Sequence, residues 1–275
     1  MTKNILLNSL TQSFSLIWKN KFWFFVLLAL EIVFFSAFGY VNISYGTKIV
    51  ESSKAIDDYL SQQQLDEVSV TENILQQKSI LGDDPLSISR NFSEMVRNLR
   101  LLLIYSFIVL VLFTSILWAF TYRLIHKINI KKSMKNFVNI FIVALFCYGL
   151  IFAFFYSLSN ISLTGAANEG SKLLTKYVPF FIFSIILVYF MFVAFSLLNE
   201  AKLQDIVQKT LSIGIKKIHY ILAAYFINIL FFAVSIALFG FFLEKNLFVL
   251  LISIMLMVFS FVFGRIFLIN VVEKL

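Results

Sequence analysis

The sequence predicts an all-α fold: a polytopic membrane helical bundle of six transmembrane helices. They are arranged as three repeats of an interfacial helix plus two spans, with an external helical hairpin between spans 1 and 2. Three observations carry this reading. The chain is 60% hydrophobic and 14% charged, with mean hydropathy +0.89, against about 45–50% apolar and about 25% charged in soluble domains. Six runs reach the roughly 20 apolar residues needed to cross a bilayer core. The basic residues gather in short connections beside those runs, as membrane topology requires. The net charge of +8 therefore points to anionic lipid headgroups at the cytoplasmic face as a partner, and not to nucleic acid.

The runs are 22–42, 101–121, 137–157, 178–198, 219–242 and 247–268. The N-terminal tail carries Lys3, Lys19 and Lys21. The second-to-third connection carries Arg123, Lys127, Lys131, Lys132 and Lys135 with no acid. The fourth-to-fifth carries Lys202, Lys209, Lys216 and Lys217 against Glu200 and Asp205. The alternate connections are acidic or nearly neutral: residues 43–100 hold six basic and nine acidic residues, 158–177 holds Lys172, Lys176 and Glu169, and 243–246 holds Glu244 and Lys245. Positive charge stays inside, so both termini are expected in the cytoplasm of a cell-membrane protein. The first run is expected to be a retained span. Its preceding region is long and Glu31 interrupts it, neither of which suits a cleaved leader.

Residues 43–100 form the largest polar segment. Ile49, Val50, Ile56, Tyr59 and Leu60 keep rough helical spacing, and Ile88, Phe92, Met95, Val96 and Leu99 share a face. Asp84-Pro85 reads as an N-cap followed by proline at the first helical position. The segment therefore reads as a helical hairpin turning at Leu81-Gly82-Asp83, each arm extending a membrane helix. It is either a solvated spacer or a cap over 46–98 that binds a protein partner or captures a substrate.

The repeat shows in SFSLIWKNKFWFF (13–25) against TLSIGIKKIHYIL (210–222). Ser13 matches Thr210, Ser15 matches Ser212, Lys19 matches Lys216 and Trp23 matches Tyr220. RLIHKINIKKSMKNF (123–137) has a related layout. The units are about 1–121, 122–198 and 199–275, together one membrane domain over 1–275. Each amphipathic lead-in is expected to lie in the interface with its lysines towards headgroups. The Trp18-Lys19-Asn20 opening and the pairing of stub with two spans resemble prokaryotic six-span membrane families, among them the membrane domain attached to some glycerophosphodiester phosphodiesterases. The resemblance implies a membrane module. It does not imply phosphodiesterase chemistry, because no separate catalytic domain accompanies the spans.

An ionisable residue within a span is a functional candidate. Glu31 lies about 15 Å along the helix from Lys21 at about 1.5 Å per residue, near the midplane. Without a cation beside it, an acid at that depth favours its neutral form. Arg265 falls towards the inner end of the last run and reaches Glu31 only if the first and last spans adjoin. Asn228 is at mid-depth in the fifth run, at a broadly equivalent place in the repeat. These three are the candidate binding residues, read either as a structural hydrogen-bonding group or as a proton or substrate site.

Catalytic and metal sites find no support. Metal-protease, phosphate-loop and nucleophile-elbow motifs are missing, and His126 and His219 read as interfacial residues. The lone Cys147 excludes an intramolecular disulfide and reads as packing. No catalytic residues, metal or cofactor are therefore expected. Two functions stay open. One is a non-enzymatic scaffold or assembly factor. The other is a small-solute or lipid transporter with a midplane site around Glu31. An intramembrane enzyme ranks behind both.

Overall fold

The computed structural model describes residues 5–64, 86–158, 163–198, 203–242 and 247–275. Among them are eight helices and no strand: α1 (Ile5–Lys19), α2 (Lys21–Gln64), α3 (Leu86–His126), α4 (Ile130–Leu158), α5 (Leu163–Leu197), α6 (Leu203–Lys216), α7 (Ile218–Phe242) and α8 (Leu247–Val272). The six apart from α1 and α6 are long and apolar enough to cross a membrane. A helix satisfies its backbone N–H and C=O groups within its own segment where no water is available, and these runs contain little that would interrupt one. Pro179 lies inside α5, and the helix continues on both sides of it.

The chain divides into two compact units. The first comprises Met1–Ser36, Leu110–Tyr148 and Phe183–Leu275. Its centre is the second half of α8, where Val262, Phe263, Ile266, Phe267, Ile269 and Val271 are fully buried. α7 packs along α8, and α1 packs against it as well. The exposed side chains of this unit are largely Phe, Ile, Leu and Val, as a lipid-facing surface demands. Trp118 packs against Phe192 and Phe195, and the buried Tyr122 hydroxyl donates to the Phe195 carbonyl.

The second unit comprises Ala37–Val109 and Gly149–Ile182. Here α2 and α3 run on past their apolar stretches. At about 1.5 Å per residue, the 44 residues of α2 reach about 66 Å, twice the bilayer core of about 30 Å. Lys54, Asp57, Asp58, Arg90, Glu94 and Arg97 are exposed, while Ile49, Ser52, Ile56, Ile88, Phe92 and Met95 turn to the less exposed sides. Tyr45 stacks on Tyr105 at 5.4 Å, and Phe154 stacks on Phe180 at 4.6 Å. The described parts of both arms thus extend membrane-length helices, as the sequence predicts. The turn at 81–83 and the Asp84-Pro85 cap lie outside the described residues.

One expectation needs correction. The lead-in at 123–137 is not a separate interfacial helix. Residues 123–126 finish α3, and residues 130–137 are the first turns of α4. The link between them turns tightly at Lys127, whose φ is 50°, leaving no room for an independent helix. The connection at 158–177 is itself helical from Leu163 onward and leads into the apolar run of α5.

The other two lead-ins are separate helices, and their breaks share a register. α1 yields to α2 at Asn20 and α6 yields to α7 at Lys217, the positions paired by the offset that aligns Ser13 with Thr210. The same offset pairs the buried Ser9, Ser13 and Ile17 with the buried Ile206, Thr210 and Gly214. Gly214 is needed where it stands: an added Cβ would lie 2.6 Å from Phe190 Cε1, and the Tyr189 hydroxyl donates to the Gly214 carbonyl at 2.8 Å. Gly214→Ala is expected to cost about 1–3 kcal/mol through overpacking. Gly149→Ala, where nothing lies within 4 Å, should be neutral or slightly stabilising. Thermal unfolding of both variants in detergent checks this, and equal midpoints would refute the close approach at Gly214.

Candidate functional site

Glu31 sits on the buried stripe of α2, one turn beyond Leu27 and Leu28 and two beyond Phe24. That spacing turns its carboxylate into the bundle, and the residue is 2% exposed. Arg265 projects from α8. Its Nη2 donates to Glu31 Oε2 at 2.6 Å, and its side chain is 13% exposed. Its Nε donates to Thr121 Oγ1 of α3 at 3.4 Å, and the Thr121 hydroxyl donates to the Leu117 carbonyl at 2.7 Å. One guanidinium thus ties three helices together. The depth count sets the acid near the midplane and the base nearer one interface. The length of the arginine side chain closes that difference.

Asn228 does not reach Glu31. Its Nδ2 donates to the Gly264 carbonyl at 3.2 Å, one residue before Arg265, and its Oδ1 is buried with no hydrogen-bond partner among the described residues. Gly264 admits this contact, since an added Cβ would meet Asn228 Cγ at 3.2 Å. The repeat offset pairs Asn228 with Glu31, so matching positions of α2 and α7 both bond α8 at neighbouring residues. A cavity of about 290 Å³ borders Asn228 and Arg265 and is lined otherwise by Trp118, Phe192, Tyr225 and Phe261 among others. Glu31 is not in its lining.

Three further polar ties lie in the same unit. Ser9 Oγ donates to the Asn270 carbonyl at 3.1 Å, and Asn270 Nδ2 donates to Ser13 Oγ at 2.8 Å. The amphipathic α1 therefore turns its serines to α8 and its Leu7, Phe14 and Trp18 outward. The sequence signal for this was the i, i+4 spacing of Ser9 and Ser13 opposite the apolar stripe. His126 Nε2 lies 2.8 Å from Glu273 Oε1, so His126 is a tie between helix ends. Asn20 Nδ2 donates to the Leu124 carbonyl at 3.2 Å, and Arg123 stacks over Trp23 at 4.0 Å, fixing the α1–α2 elbow to the end of α3. Of the polar groups in spans two and three, Thr114 Oγ1 and the Tyr148 hydroxyl pair at 3.5 Å. Among the described residues no group of three or more His, Cys, Asp or Glu side chains could hold a metal ion.

Six apolar spans gathered in helical units, one of them crossed by a buried ion pair, define a multi-pass membrane protein. Comparison with family models, with curated proteins and with solved structures finds no match.

Proposed function

We propose that this chain is a non-enzymatic membrane scaffold or assembly factor of the cell membrane, with both termini in the cytoplasm. The observation that carries the proposal is the enclosure of Glu31: the acid is 2% exposed and already satisfied by Arg265. A transport site has to load and release its ligand, whereas a carboxylate held at 2.6 Å by guanidinium serves best as a fixed tie between helices. The long extensions of α2 and α3, with exposed charges on both, supply the surface for a protein partner over 46–98. The resemblance to membrane domains attached to catalytic ones fits a module that positions another protein. Crosslinking followed by affinity capture from native membranes tests this. A stable partner should be recovered with the full chain and lost when 46–98 is replaced by a short linker, with monodispersity unchanged. Capture that is indifferent to 46–98 sinks the reading.

The second reading, a small-solute or lipid transporter, draws on the cavity beside Asn228 and Arg265. Reconstituted protein that moves a labelled lipid or solute across liposomes would favour it over the scaffold.

A further inference from the structure

A second and larger cavity, of about 930 Å³, lies in the crook between α1 and α2. Its walls are Phe14, Ile17, Phe24, Phe25 and Phe259, and its mouth carries Trp18, Lys19 and Lys21. Two features set it apart from an ordinary lipid-facing furrow. The first is charge. Lys19 and Lys21 flank the elbow, Lys21 Nζ stands 4.1 Å from the centre of the Trp18 ring, and residues 1–30 contain no acid. The cation–π contact holds one ammonium at the mouth. No carboxylate in this stretch neutralises either lysine. The second feature is a fixed frame. The Ser9–Ser13–Asn270 bonds clamp α1 to α8, and Asn20 is bonded to the Leu124 carbonyl, so α1 and the elbow are each tied to a neighbouring helix. Trp18 is 74% exposed and sits where the apolar run begins, the level at which indole prefers the headgroup zone.

We propose that this crook is a specific binding site for one anionic phospholipid. Lys19 and Lys21 pair with its phosphate, and its acyl chains lie along Phe14, Phe24, Phe25 and Phe259. The site is independent of the scaffold reading and of the Glu31–Arg265 pair.

Fluorescence quenching in reconstituted vesicles tests it. Phosphatidylglycerol or phosphatidylcholine brominated on the acyl chains is included at equal mole fraction, and the Trp18 contribution is taken as the difference between the native chain and Trp18→Phe. Brominated phosphatidylglycerol is expected to quench that contribution several-fold more than brominated phosphatidylcholine. The preference should vanish in Lys19→Gln/Lys21→Gln and persist in Lys19→Arg/Lys21→Arg, which controls for folding. Equal quenching by the two lipids would make the crook ordinary boundary lipid and overturn the proposal. Quenching by neither would mean that protein, a second copy or another chain, covers the groove, and would overturn it too.

Discussion

Glu31→Gln is expected to destabilise the fold by about 3–5 kcal/mol, the usual cost of breaking a buried ion pair from one side. Glutamine preserves the shape and still accepts a hydrogen bond. What it removes is the charge paired with a guanidinium whose side chain is 13% exposed. Thr121 at 3.4 Å offers a neutral oxygen in its place. Arg265→Gln should cost less, since an acid without a cation beside it can be accommodated in its neutral form whereas a guanidinium stays charged. The double change Glu31→Leu/Arg265→Met should recover most of the loss, because two apolar side chains need no partner in an apolar bundle. Unfolding titrations in mixed micelles of the native chain, Glu31→Leu, Arg265→Met and Glu31→Leu/Arg265→Met close a double-mutant cycle and give the coupling energy directly. A coupling near zero would show that the pair does not hold α2 to α8. The double variant also separates the two functional readings. A scaffold should keep its partner without the charges, while a transporter that works through Glu31 should lose flux.

The second large effect is expected at Trp118, which is 2% exposed between Phe192 and Phe195. Trp118→Ala should cost about 3–5 kcal/mol. In lipid the loss is mainly one of packing, since the acyl chains are as apolar as the protein interior. The comparison that matters is Phe226→Ala. Phe226 is 66% exposed and faces outward from α7, so its removal should be nearly free. If the two truncations cost the same, the division into packed and lipid-facing sides is wrong. Trp118→Phe should lie between them. The same unfolding assay reads all three.

The spans were legible because lipid tolerates nothing else: every helix crossing it must be long and apolar, and a run such as 247–268 admits one interpretation. Glu31, Arg265 and Asn228 stood out for the same reason, each being a polar side chain in an apolar run. Their pairing was not legible. Depth along a helix says how far a residue lies from an interface, and it says nothing of which helix lies beside it. α1 was read with its apolar stripe as the telling face and its lysines towards headgroups. The structure adds that its serines face the protein. Small hydroxyl residues allow close helix approach in membranes, so Ser9 and Ser13 could have been read as an interface. The 123–137 lead-in misled because lysines among isoleucines look alike whether they form an interfacial helix or a helix end, a tight turn and a helix start.

The two members of the ion pair stand 234 residues apart in the chain. At about 5–20 residues per second, roughly 10–50 s of synthesis separate the acid from its base. Through that interval α2 must enter the membrane with no arginine to meet it. Arg265 then arrives with the helix against which α1 and α7 pack. Closure of this unit is therefore a late event, and the nascent chain spends most of its time as helices awaiting a centre. Its biogenesis should depend on whatever shelters a half-made helix pair from proteolysis, more than on the insertion of any single span.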